Sequence, residues 1–164
     1  MTFSAGILLY RRTPSNLYVL LGKDTKYNLW SDFGGKSEST DNGDPINTAS
    51  REFYEETSGS IYDVCELRYH LKKRSICFEC DSYRKRKYYM FLMNTENILN
   101  GNVCEKFRNQ QIMLANIMSD NFMKFKEKQD IQWFSFNYIL DNRNIFREVF
   151  FNSIMKHFED IQSA

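Results

Sequence analysis

The run Arg51-Glu52-Phe53-Tyr54-Glu55-Glu56 constrains this chain more than any other feature. On a helix, Glu52, Glu55 and Glu56 stand at i, i+3 and i+4, so three carboxylates share one face. Like charges so placed destabilise a helix unless something compensates them, and a hard divalent cation is the natural compensator. Oxygen-only ligands suit magnesium or manganese, and magnesium prefers a few carboxylates plus substrate phosphates to a closed protein cage. The run therefore points to phosphate chemistry.

The residues before it predict that the helix forms. Gly34-Gly35 marks a tight turn after Trp30, residues 37–43 are a polar loop, and Asp44-Pro45 supplies an N-cap followed by proline at the first helical position. A helix beginning at Pro45 buries Ile46, Ala49 and Phe53 and leaves the acids mostly off that stripe, with Gly59 as its terminator. Upstream, residues 3–12 and 17–23 are rich in Leu, Ile, Val and Tyr around the turn Thr13-Pro14-Ser15-Asn16, which predicts a β-hairpin. Downstream, residues 75–80 and 87–93 predict a second hairpin across the basic turn 81–86. Residues 105–118 are weakly helical within the long stretch 94–128, residues 131–136 form a short strand, and Ile145, Val149, Phe150, Ile154, Phe158 and Ile161 predict a C-terminal helix. Strands followed by a helix, twice over, give a mixed α/β layered domain, and 164 residues suit one domain spanning 1–164.

With these residues in place, the chain resembles the Nudix hydrolase family. The resemblance rests on Gly34-Gly35-Lys36-Ser37-Glu38, Asp44-Pro45 and Arg51-Glu52-Phe53-Tyr54-Glu55-Glu56, together with the preceding hairpin, Trp30, and Glu127 ahead of Trp133. The box also resembles those of large DNA virus Nudix proteins. There are two departures. The loop between Gly35 and Pro45 is longer than usual, so the glutamate midway along the box has no clear counterpart and Glu38, Asp41 and Asp44 are the nearby acids. Ser58 stands in the usual glycine place, one residue before Gly59.

The resemblance implies an α/β/α sandwich with a mixed β-sheet between helices. It implies a Mg²⁺-dependent hydrolase, with Mn²⁺ as the other metal, that cleaves the diphosphate of a nucleoside diphosphate linked to another group. Glu52, Glu55 and Glu56 would hold the metal with the Gly34 carbonyl, and Glu127 would be a further ligand or the general base. Arg51 would fix the Glu55 carboxylate from one turn away. Lys36, Trp30, Lys85 and Arg86 are the substrate-binding candidates. Basic residues interleaved with tyrosines, in 69–74 and 83–89, suit RNA or a highly phosphorylated small molecule, so capped RNA and diphosphoinositol polyphosphates are alternative substrates. A binding module without catalysis is the alternative from another class.

The remaining features exclude more than they assign. A net charge of +1 gives no global pull toward nucleic acid or membrane, and no window approaches a membrane span. Cys65, Cys77, Cys80 and Cys104 are too sparse for a disulfide-stapled domain, which predicts reduced thiols and a soluble, cytoplasmic protein. Cys77 and Cys80 have half the spacing of a zinc site, but no second pair accompanies them.

Overall fold

A computed structural model describes residues 2–81, 86–95, 102–116 and 120–164. Its frame is the first hairpin, β1 (Ser4–Arg12) and β2 (Leu17–Asp24), paired antiparallel with Leu9 opposite Leu20. Two short strands follow, β3 (Trp30–Ser31) beside β2 and β4 (Phe33–Lys36) beside β1, which brings Gly34 opposite Gly6. The second hairpin, β5 (Ser75–Asp81) and β6 (Lys87–Asn94), joins through a parallel pairing of β6 with β1. A late strand, β7 (Lys128–Ser135), closes on β2, completing a seven-stranded mixed sheet among the described residues.

The strands explain why helices cover both faces. Along β1 every residue from Ala5 to Tyr10 is buried, so its two alternating sets of side chains both need cover. Leu8, Tyr10, Val19, Leu21, Met90 and Leu92 point to one face, and Ile7, Leu9, Leu20, Phe91 and Met93 to the other. The second face is covered by Ala49 and Phe53 of α1 (Pro45–Glu56), Leu67 and Leu71 of α2 (Val64–Arg74) and Phe107 of α3 (Val103–Ala115). The first is covered by Ile139 of α4 (Phe136–Asp141), Phe150 and Ile154 of α5 (Glu148–Lys156) and Ile161 of α6 (Phe158–Ser163). This is the α/β/α sandwich with a mixed sheet between helices. None of the described helices is long and apolar enough to cross a membrane.

Three sequence expectations change. The basic cluster His70-Leu71-Lys72-Lys73-Arg74 is the last turn of α2, capped at its start by Asp63, and there cations complement the helix dipole. The C-terminal helix is two helices broken at His157, whose ring stacks on Phe78 at 4.6 Å while Nδ1 lies 3.5 Å from Asp160. Ile145 belongs to a separate 3-10 turn, because the backbone N–H of Arg147 donates to the Trp30 carbonyl at 2.9 Å and holds the chain at the edge of β3.

Candidate active site

Helix α1 starts where its cap chemistry places it: the Asp44 carboxylate accepts the Ile46 N–H at 2.8 Å and Pro45 holds the first helical position. Its C-terminal end is less ordinary. Ser58 and Gly59 both adopt left-handed backbone, φ +57° and +64°. Ser58, where a glycine would sit without strain, is held by hydrogen bonding, its hydroxyl donating to the Phe125 carbonyl at 2.8 Å and accepting from Gln111 at 2.6 Å. These bonds tie the end of α1 to the 3-10 segment Asp120–Lys126 that precedes β7.

Arg51 organises the acidic face. Its Nε and Nη2 donate to Asp41 at 3.0 and 2.9 Å, a bidentate pair, and Nη2 also reaches the Lys36 carbonyl at 2.8 Å. Nη1 donates to Glu52 at 2.9 Å and more distantly to Glu55 at 3.5 Å. The expected pairing with Glu55 is therefore present, but it is the weakest of these contacts. The main partner is Asp41, which is 2 % exposed and also accepts the Thr48 hydroxyl at 2.9 Å and the Glu38 N–H at 2.8 Å. Burial alone would raise the Asp41 carboxyl, but these hydrogen bonds and the Arg51 charge hold it below the usual carboxylate range. The 3-10 turn Ser39–Asp41 of the long loop bends Asp41 back onto the helix.

The three helix acids face different partners. Glu52 lies against Gly35, where a Cβ would come within 2.5 Å of its carboxyl carbon, so only glycine leaves it room. Burial pushes the Glu52 carboxyl up to about 7, Arg51 opposing and the charges of Glu55 and Glu127 adding to the rise. Glu55 pairs with Lys124 at 2.6 Å. Glu56 is buried, accepting the Gly34 N–H at 2.7 Å, with Lys128 Nζ at 3.2 Å. Burial pushes it up to about 8 despite Lys128. Lys128 is only 1 % exposed and donates to Ser31 at 3.0 Å.

Among the described residues no three carboxylate, thiol or imidazole side chains stand close enough to hold a metal ion by themselves. The donors nevertheless fit a hard divalent cation in kind: they are carboxylate oxygens, and half-buried Glu52 and buried Glu56 have their charged forms disfavoured. A cation at Glu55 would compete with Lys124.

The other candidates are dispersed. Glu127 is exposed, and its charge reaches Glu52. Lys36 and Arg86 line a cleft of about 480 Å³ on the far side of β4 from the acids. Trp30 is not in that cleft: it is buried in the core, edge-on to Phe134 at 4.8 Å, so its indole packs and does not stack on a ligand there. Trp133 packs partly buried, with the Arg11 guanidinium 4.5 Å from its ring. Lys85 lies outside the described residues. Sequence reasoning did not single out Lys124, Lys128 or Asp41; only Asp41 carried a signal, as one of the acids in the long loop.

No family model matches the chain, and no curated protein matches it. Solved structures do. A binary complex of the Ap4A hydrolase of C. elegans is similar at TM-score 0.51 and 15% identity, covering 99% of this chain and 98% of that one. The Nudix domain of Shewanella oneidensis NrtR complexed with ADP-ribose is similar at 0.53 and 12%, covering 98% and 86%. The C-terminal domain of mouse MUTYH, in its complex with human PCNA, is similar at 0.54 and 10%, covering 100% and 91%. At such identities the likeness bears on architecture, and by that architecture the chain has the Nudix fold.

Proposed function

We propose that the chain is a Mg²⁺-dependent Nudix pyrophosphohydrolase that cleaves the diphosphate of a nucleoside diphosphate linked to another group. The observation that carries this reading is the placement of Glu52 and Glu56 directly against Gly35 and Gly34, with Arg51 locked by Asp41 beside them. Glu52, Glu55 and Glu56 are the proposed metal ligands, Mn²⁺ being an acceptable substitute. The bound cation would neutralise the diphosphate and lower the pKa of a water. Arg51 positions Glu52. Glu127, exposed beside Glu52, accepts the proton of the attacking water or serves as a further ligand. Lys36 and Arg86, at the cleft, bind phosphate oxygens. Incubation with Mg²⁺ and a panel of dinucleoside polyphosphates, nucleotide sugars, nucleoside triphosphates, capped RNA and diphosphoinositol phosphates, with products identified by mass, tests the proposal; no product from any of them defeats it.

The second reading is a binding module without catalysis. It is favoured by the pairing of each helix acid with a cation of the protein itself, Arg51, Lys124 or Lys128. Calorimetric binding of a nucleotide with no Mg²⁺-dependent product selects it.

A further inference from the structure

The C-terminal turn of α1 is closed in a way that helix geometry alone does not call for. The Gly59 N–H donates to the Tyr54 carbonyl at 2.8 Å and the Ser58 N–H to the Glu55 carbonyl at 3.0 Å, the two bonds that end a helix through a left-handed residue. That residue is Ser58, at φ +57°. Glycine takes this conformation freely and a residue with a Cβ does not, so termination gives no reason for serine. The reason lies in what the hydroxyl touches. Ser58 is buried, and its Oγ donates to the Phe125 carbonyl at 2.8 Å while accepting from Gln111 Nε2 at 2.6 Å. The same Nε2 donates to that carbonyl at 2.9 Å, so one oxygen takes donors from the end of α1 and from α3 and uses both lone pairs.

The backbone so held belongs to the residue after Lys124. The Tyr54 ring meets Phe125 edge-on at 6.0 Å, and further along Thr25 donates to the Lys126 carbonyl through its hydroxyl and to the Glu127 carbonyl through its N–H, each at 2.8 Å. Lys124 Nζ lies 2.6 Å from Glu55, which stands three residues before Ser58 on the same face of α1. Of the cations that meet the helix acids, the side chains of Arg51 and Lys128 are 15 % and 1 % exposed and that of Lys124 is 51 % exposed. A half-exposed ammonium on a long stem gains little from one ion pair, because pairing fixes rotamers that are otherwise free. Fixing the backbone beside it removes part of that cost. Glu55 is therefore the acid whose cation is free to leave and is nevertheless held in place.

We propose that Ser58, with Gln111, is a positioning residue for the acidic face: their latch on the Phe125 carbonyl holds the Lys124 ammonium at Glu55, in the place a divalent cation would take, and so sets how readily free metal enters. Among the described residues neither side chain bonds to a carboxylate. Their effect on metal therefore runs through Lys124.

The latch rests on the hydrolase reading for a metal at Glu55, and titration with metal in the absence of substrate keeps the two apart. Mn²⁺ added to the chain at low salt, with the free ion counted by electron paramagnetic resonance, should give a Kd about two- to fivefold lower for Ser58→Gly and Ser58→Ala than for the unaltered chain. In a Lys124→Ala background neither substitution should lower it further. The two replacements differ in backbone: alanine keeps the left-handed strain without the hydroxyl and should melt several degrees below the glycine variant. Loss of the hydroxyl predicts equal metal affinities for the pair, whereas affinities that follow melting temperature overturn the proposal. An unchanged or higher Kd for Ser58→Gly, no Mn²⁺ binding by either chain, or the same gain with Lys124 already removed also overturns it, even if Ser58→Ala fails to fold. The expected shift in a chain that turns over no diphosphate defeats the hydrolase reading and leaves the latch standing. Turnover with a Kd indifferent to Ser58 does the reverse.

Discussion

The two sides of β4 handle buried negative charge in opposite ways. On the α1 side Glu52, Glu55, Glu56 and Asp41 are met by Arg51, Lys124 and Lys128 within 2.6 to 3.2 Å. On the cleft side Asp32 has a tyrosine hydroxyl and, among the described residues, no paired cation. A face whose carboxylates are matched by side-chain cations can exchange one cation for another, whereas a lone buried carboxyl is pushed toward its neutral form. The difference separates a face suited to exchange of cations from one that holds its carboxyl without a counter-ion.

The most severe way to break the acidic face is to remove a proposed metal ligand. Glu55→Gln keeps the size of the side chain and should lower kcat at least about a hundredfold, more than the ten- to hundredfold typical of residues that only support a ligand. Far-ultraviolet circular dichroism should be unchanged. Hydrolysis within a few-fold of the original chain would remove Glu55 from the chemistry.

Next in size is the clamp that orders this face. Asp41→Ala strips Arg51 of its bidentate partner, leaves the Glu38 N–H without an acceptor and leaves the Thr48 hydroxyl only the Asp44 carbonyl at 3.5 Å, which should cost about 3 kcal/mol of stability in denaturant unfolding. Because the Asp41 carboxyl is held below its unfolded value of 3.8, its contribution is complete above that pH and disappears as pH falls through the lower folded value. The variant should therefore lose its disadvantage in strong acid. A pH-independent difference would mean that the clamp acts through packing alone.

A smaller effect should appear between pH 5 and 8. Glu52 and Glu56 titrate at about 7 and about 8 in the folded chain, above the unfolded 4.5. Their charged forms are favoured by unfolding, so the penalty is absent below the unfolded value and grows as pH rises through the folded ones. Melting temperature without metal should fall by several degrees from pH 5 to 8, and Mg²⁺ should restore more of it at pH 8 than at pH 5. Equal Mg²⁺ stabilisation at both would argue against these carboxylates as its ligands.

How far these features were legible varied with the range of the interactions involved. Both hairpins and the start of α1 rest on neighbours in sequence, so alternation and the Asp44-Pro45 cap placed them correctly. Helix α2 buries only Leu67 and Leu71, too few to show helical spacing in a basic segment. The roles proposed for Glu52, Glu55 and Arg51 rest on their spacing on one helix. That of Asp41 needed the loop to fold back through its 3-10 turn. Lys128 stood in a mixed-charge run, and its burial depends on the β2–β7 pairing, whose register shifts at Lys23 and Asp24. Asp32 and Tyr88 are 56 residues apart and meet only because β6 lies parallel to β1 while β4 pairs with the same strand.

The mildest change sharpens the contrast most directly. Lys124 is half exposed and touches Glu55 from the 3-10 segment ahead of β7, so Lys124→Ala should change stability by less than about 1 kcal/mol. Its effect on cation binding should run the other way from that of most deletions at a site. If Lys124 and Mg²⁺ compete for Glu55, the variant should bind Mg²⁺ several-fold more tightly in calorimetry at low salt, with a smaller gain at high salt, where the exposed ammonium is screened. Substitution of Asp32 by Asn, on the other side of β4, should leave Mg²⁺ affinity unchanged. Weaker Mg²⁺ binding by Lys124→Ala would mean that the ammonium supports the acidic face and does not occupy a cation's place, and the two sides of β4 would then be more alike than their partners suggest.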